Sequence, residues 1–100
     1  MIRNRMRPIH PGEILREEFL VPLGMTAHAL SQVIRVPATR VNDIVNAKRD
    51  ITADTALRLG RYFGNSPECW LNLQAAYDLR TAQNEAAARI EQEVSPRRVA

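Results

Sequence analysis

The chain has a single cysteine, Cys69. No internal disulfide can form, which fits a reducing compartment. Histidine is almost as scarce: His10 and His28 stand far apart, with the cysteine farther still. That is not a zinc-binding spacing. The four glycines form no phosphate-cradling loop. Glu17 and Glu18 are adjacent and point to different sides of a helix, so they are not an acid–base pair. The chain is therefore expected not to be an enzyme and to need no metal, cofactor or small-molecule substrate. No apolar run approaches the roughly 20 residues that span a bilayer. The opening Met1-Ile2-Arg3-Asn4-Arg5-Met6-Arg7 is basic, but no apolar stretch follows, so it is not read as a signal peptide. The expected location is the cytoplasm, with no membrane partner.

One hundred residues suit one domain with a modest core. The net charge of +3 and the sequence pI of about 9.8 carry little weight alone, since many basic proteins have no nucleic-acid partner. Their placement says more. Arg3, Arg5 and Arg7 lie in the first seven residues without an acid, and Arg35, Arg40, Lys48 and Arg49 crowd the middle. Lys48 is the only lysine among 14 basic residues. Arginine grips phosphates and guanine edges bidentately, but an arginine bias also follows genomic base composition.

Apolar spacing, caps and breakers predict five helices and no strand. Pro11 and the acids after it open the first, with Ile14, Leu15 and Phe19 as its buried stripe, and Pro22 and Gly24 close it. Thr26 caps a second helix over residues 27–34, with Ala29, Leu30, Val33 and Ile34 facing inward. Val36-Pro37 interrupts it. A third follows over about 38–46, with Val41, Ile44 and Val45 apolar. Thr52 caps a fourth to Phe63, with Ala56, Leu57, Leu59 and Phe63 as its stripe and Gly64 behind it. Ser66-Pro67 starts a long fifth helix reaching about Ile90, and Cys69 reads as a small buried residue near its start.

Residues 26–46 pair two short helices across a turn, which lets the second brace across the first and keep its outer face free. That face reads Ala38, Thr39, Arg40, Asn42, Asp43 and Asn46, short or polar side chains able to meet base edges. Lys48 and Arg49 follow at a place where a loop can hold phosphates. His28 and Gln32 approach phosphates or are plain surface residues. Asp43 accepts from a cytosine amino group or pairs with Arg40 or a neighbour. His10 reads as a cap for the first helix rather than a ligand. Spacing alone leaves two readings open: a DNA reader, or the polar face of any small helical bundle.

The strings "HPGEILREEFLVPLG", "VPATRVNDIVNAKRDITADTALRLGRYFG" and "NSPECWLNLQAAYDL" add to this. Through them the stretch from His10 to about Arg80 resembles the HigA/VapI group of Xre-type, phage-repressor-like regulators. The resemblance implies an all-α, five-helix lambda-repressor-like DNA-binding domain with an extended C-terminal helix. It also implies a dimeric antitoxin that represses its own operon at palindromic double-stranded DNA and restrains a HigB-type, mRNA-cleaving toxin. A solitary regulator of the same family, and an interaction module without DNA binding, are the alternatives. The division expected is a basic arm over 1–9, the domain over 10–82 and a helical extension and tail over 83–100. Members of the group usually carry glycine where this chain has Arg35, Ala47 and Asp50, and an aromatic where it has Cys69. A left-handed Arg35 costs roughly 1 kcal/mol.

The fifth helix carries two apolar stripes, Trp70, Leu73, Ala76 and Tyr77 on one and Leu71, Ala75, Leu79 and Ala82 on the other. One closes the core. The other needs a partner, and a homodimer built on Trp70, Leu73, Ala76 and Tyr77 is the expected one, unless both stripes are absorbed by the monomer. Beyond Ala82 the helix turns polar.

Overall fold

Among the described residues, four of five helices begin at a residue whose side chain accepts a hydrogen bond from the first turn. The computed structural model describes residues 7–98, and these form helices with no strand. Helix α1 is a continuous run of three parts, Pro11–Ile14, a π-wound Leu15–Leu20, and Val21–Leu23. It is followed by α2 (Ala27–Ile34), α3 (Ala38–Val45), α4 (Ala53–Phe63) and α5 (Pro67–Glu93). The caps are His10 Nδ1, which accepts from the Gly12 amide at 2.9 Å, and the hydroxyls of Thr26, Thr52 and Ser66, each bonded to the amide three residues on. Each satisfies a donor that the first helical turn leaves without a partner. Helix α3 lacks such a cap because Pro37 fills the position.

The π winding in α1 has a cause in the sequence. Pro22 has no N–H, and in α geometry its ring meets the Glu18 carbonyl. The wider turn, in which the Val21 amide donates to Arg16 O five residues back, shifts the register just before that proline.

The core draws on every helix. Leu15 and Leu20 of α1 meet Leu30 and Ile34 of α2, Val41 and Ile44 of α3, Ala56 and Leu59 of α4, and Trp70 of α5, with Ile51 between α3 and α4. All are nearly inaccessible. Each large side chain contributes about 1.5–3 kcal/mol relative to exposure. Phe19 lies 4.8 Å from Phe63 and 5.1 Å from Trp70, ring centre to centre, joining α1, α4 and α5. Gly12 permits a close approach: a Cβ there would run into the Ile44 carbonyl, so α1 lies directly on the end of α3.

The helical stripes are narrower than the sequence predicts. Val33 and Leu57 were expected inside, yet they are 49% and 60% exposed. In α2 the core face is taken by Leu30 and Ile34, four apart, and in α4 by Ala56, Leu59 and Gly60. Val33 and Leu57 each sit about 100° round the helix from a buried neighbour. Cys69, expected to be buried, is exposed for the same reason, since its neighbour Trp70 enters the core.

Helix α5, with 27 residues, is the longest element. At the α-helical rise it extends about 40 Å. The described molecule measures 55 × 31 × 22 Å along its principal axes, so this one helix sets most of its length. Only Trp70 and Gln74 on it are buried. Gln74 accepts from the Ile51 amide at 2.8 Å and donates to Asp78 at 3.0 Å, tying the approach to α4 onto α5. No described helix is long and apolar enough to cross a membrane.

Candidate nucleic-acid interface

Helix α3 is set by what lies behind it. Val41 and Ile44, each 1% exposed, fix its inner face. Thr39, Asn42 and Asn46, at helical spacing, are then left exposed on its outer side, while Ala38, Arg40 and Asp43 are half-buried at its edges. Its C-terminal end is held by Arg16 of α1, whose guanidinium donates to Val45 O at 3.2 Å.

The turn before α3 is the left-handed one that the sequence flagged. Arg35 has φ 63° and ψ 50°. That conformation is normally given to glycine. The strain is borne in the presence of a clamp from α4: Arg58 donates to Ile34 O at 2.9 Å and to Arg35 O at 3.3 Å. Asp54 holds Arg58 at 2.9 Å and also meets Arg40 of α3 at 3.4 Å. One carboxylate thus joins the turn clamp to a long cation on the α3 face. The sequence reading missed Asp54 and Arg58. Their four-residue spacing on one helix face was the available signal.

Beyond α3, Ala47 is also left-handed, with φ 61°, while Asp50, the third departure from glycine, is not. The Lys48 amide donates to Asp43 O at 2.7 Å, and Arg49 lies 3.8 Å from the Asp43 carboxylate. Lys48 and Arg49 are exposed, side by side, next to the α3 face. Asp43 therefore pairs with Arg49 rather than with Arg40. On α2, His28 and Gln32 are both exposed one turn apart, and the His28 carbonyl accepts from the buried Ser31 hydroxyl at 2.6 Å.

Of the basic arm's arginines, the described one, Arg7, lies apart from this cluster. Arg3 and Arg5 lie outside the described residues. Arg7 makes two contacts to Glu13, at 3.2 and 3.3 Å, and lines a groove with Ile9, Ile14, Leu73, Ala76 and Tyr77 against α5. The Arg7 guanidinium holds the Glu13 carboxyl below its ordinary value, and Glu13 in turn raises Arg7. That groove, of about 320 Å³, contains three of the four residues expected at a dimer contact. The fourth, Trp70, is corrected: it is 1% exposed, and its indole N–H donates to Asn65 at 2.9 Å, so the monomer's own core absorbs it. Leu79 at 60% exposure adds apolar surface farther along α5. A second concavity, about 530 Å³, lies between α2 and α4 and is lined by Val33, Leu57 and Tyr62 with Arg58 and Arg61.

His10 does what its position predicts and more. It caps α1, is 5% exposed, and meets Tyr77 of α5 edge-on with ring centres 4.8 Å apart. Burial lowers its pKa below the ordinary value, against the pull of Asp50 and Asp78. Among the described residues no group of three or more His, Cys, Asp and Glu is arranged to hold a metal ion.

Known proteins match this architecture over most of its length. The helix-turn-helix family model covers residues 15–71. Virulence-associated protein I of Dichelobacter nodosus is 57% identical over 83% of this chain and 77% of its own. Antitoxin HigA-1 of Vibrio cholerae is 39% identical over 84% of this chain and 79% of its own. The solved structure of the Pseudomonas aeruginosa antitoxin HigA with the higBA promoter superposes with a TM-score of 0.88 at 51% identity, over 90% of this chain and 98% of that one.

Proposed function

The chain belongs to the helix-turn-helix family, among its HigA-like members, and from that premise we propose that it is an antitoxin and autorepressor. It binds operator DNA with α3 and restrains a HigB-type, mRNA-cleaving toxin by direct contact. The observation that carries the DNA reading is the rigid outer side of α3: Thr39, Asn42 and Asn46 stand free over a face sealed by Val41 and Ile44. The likeness to a HigA structure that contains promoter DNA supports the same assignment.

Roles follow from geometry. Thr39, Arg40, Asn42 and Asn46 meet base edges in the major groove, with Ala38 close to them, small enough to admit a thymine methyl. Arg40 reaches DNA by exchanging its 3.4 Å contact with Asp54. An exposed pair of that kind costs little to break. Lys48 and Arg49 grip phosphates, Asp43 keeps Arg49 in place, and His28 and Gln32 lie over the backbone from α2. Residues 10–82 make up the DNA-binding domain, and 83–100 form the extension.

A second copy completes the molecule. Leu73, Ala76 and Tyr77 form the contact, with Leu79 beside them, and two-fold symmetry sets the α3 helices about 34 Å apart for palindromic half-sites. The test is a mobility shift on the gene's own promoter at moderate salt. The parent shifts the fragment at submicromolar concentration, with affinity falling steeply as salt rises. Ala76→Glu, which alters an exposed residue and spares the core, sediments as a monomer and binds at least about tenfold more weakly. No shift at micromolar protein refutes the repressor reading.

A further inference from the structure

Helix α5 continues well past the body that holds it. Trp70 and Gln74, its buried residues, both lie in its first third. From Gln83 to Glu93 every residue except Ala86 and Ala87 is exposed. A polar helix end of this length is marginal by itself in water, because most helical stability comes from packing. Its one ion pair, Arg89 with Glu93 at 3.8 Å, is exposed and adds little. The groove beside it has matching character. Arg7 and Arg80 line the groove with Leu73, Ala76 and Tyr77, whereas the helix end carries Glu85, Glu91 and Glu93 against a single Arg89. Arg7 is already engaged by Glu13. Among the described residues, neither Arg80 nor Glu91 makes an ion pair.

The groove and the helix end lie on one line of α5. Leu73, Tyr77 and Arg80 recur at steps of four and three, and the same steps continue through Asn84, Ala87, Glu91 and Val94. Such residues share one helix face. We propose that the far end of α5 from a second copy occupies the groove, the two helices antiparallel, with Arg80 of each against Glu91 of the other. The inference rests on the second-copy contact proposed above and gives that contact an orientation and a register.

The register is self-consistent. In an antiparallel pair, a step forward on one helix is a step back on the other. With Arg80 against the partner's Glu91, Tyr77 lies against the partner's Val94, and Asn84 against the partner's Ala87. From Tyr77 to Val94 each position on the line therefore meets another position on the line, over about 25 Å of helix. Two-fold symmetry makes every contact twice. A parallel pair does the opposite, because it sets Arg80 against Arg80 and Glu91 against Glu91. Like charges placed so are repulsive.

The test is sedimentation equilibrium of the full chain from about 0.1 to about 100 µM, with circular dichroism confirming intact helices. Arg80→Glu and Glu91→Arg should each weaken association about tenfold, since each turns two attractions per dimer into two repulsions. The double reversal should return to within about threefold of the parent. An equimolar mixture of the two single variants should also recover, because both contacts between unlike chains are then attractive; that recovery excludes misfolding as the cause of the single losses. Arg89→Glu makes the same charge change on another side of α5 and should stay within about twofold. Single reversals that leave the dimer intact, while Ala76→Glu breaks it, overturn this inference and leave the groove contact standing. A double reversal without recovery overturns it as well. A parent that remains monomeric throughout rejects the second-copy reading, and this inference with it.

Discussion

Helices α3 and α5 carry the two surfaces of interest, and they are held in opposite ways. Helix α3 has eight residues, two of them sealed in the core, a guanidinium on its last carbonyl and a glycine-permitted contact at its end. Its outer face has one available direction. Helix α5 has 27 residues and buries two, both in its first third. Past Tyr77 its large apolar residues stay uncovered, Leu79 at 60% and Ile90 at 47% exposure. A short helix fixed from behind presents a finished surface, whereas a long one fixed at one end presents an unfinished one that a further chain must complete.

The largest expected effect tests that contrast directly. Ile44 is 1% exposed. Ile44→Ala should cost about 2–5 kcal/mol in chemical denaturation. Ile90→Ala, near the far end of α5, should change stability by less than about 0.5 kcal/mol. Comparable losses from the two would mean that α5 is as firmly fixed as α3, and the contrast would fail.

The same difference explains how much was legible beforehand. The caps Thr26, Thr52 and Ser66, the left-handed Gly64 and the proline breaks identify themselves locally, because each satisfies or interrupts backbone hydrogen bonds within a few residues. So the five helices were readable. Which of two adjacent apolar residues faces inward was not, because about 100° of rotation is decided by a neighbouring helix. Val33, Leu57, Cys69 and Trp70 were all misplaced in that way. The clamp of Asp54, Arg58 and Arg40 was hidden because it joins α2, α3 and α4 across 14 to 24 residues of sequence. The assignment of His10 as a cap needed only Gly12, two residues on. Its contact with Tyr77 needed the fold.

A middle-sized effect belongs to the α3 surface. Arg40→Ala should weaken binding to the preferred operator by about 1–3 kcal/mol while leaving binding to unrelated DNA nearly unchanged. Lys48→Ala should weaken both alike and lower the salt slope by about one. Competition titrations against operator and random duplexes at several salt concentrations separate the two behaviours. An equal loss on both duplexes for Arg40→Ala would move that residue from base reading to phosphate contact.

The smallest effect concerns the turn that fixes α3 in the first place. Arg35→Gly releases roughly 1 kcal/mol of left-handed strain, and glycine's greater freedom in the unfolded chain removes about 0.4–1 kcal/mol of that gain. The Arg35 side chain is exposed, and the carbonyl that Arg58 holds is backbone and survives the change. The balance is a gain of about a few tenths of a kcal/mol, a rise of about 1–4 °C in melting temperature for a domain of this size. Operator affinity should stay within about twofold, since the path into α3 is unaltered. A melting temperature that falls instead would show that the Arg35 side chain stabilises the fold by more than its backbone strains it, and that the Arg58 clamp is not sufficient to hold the turn.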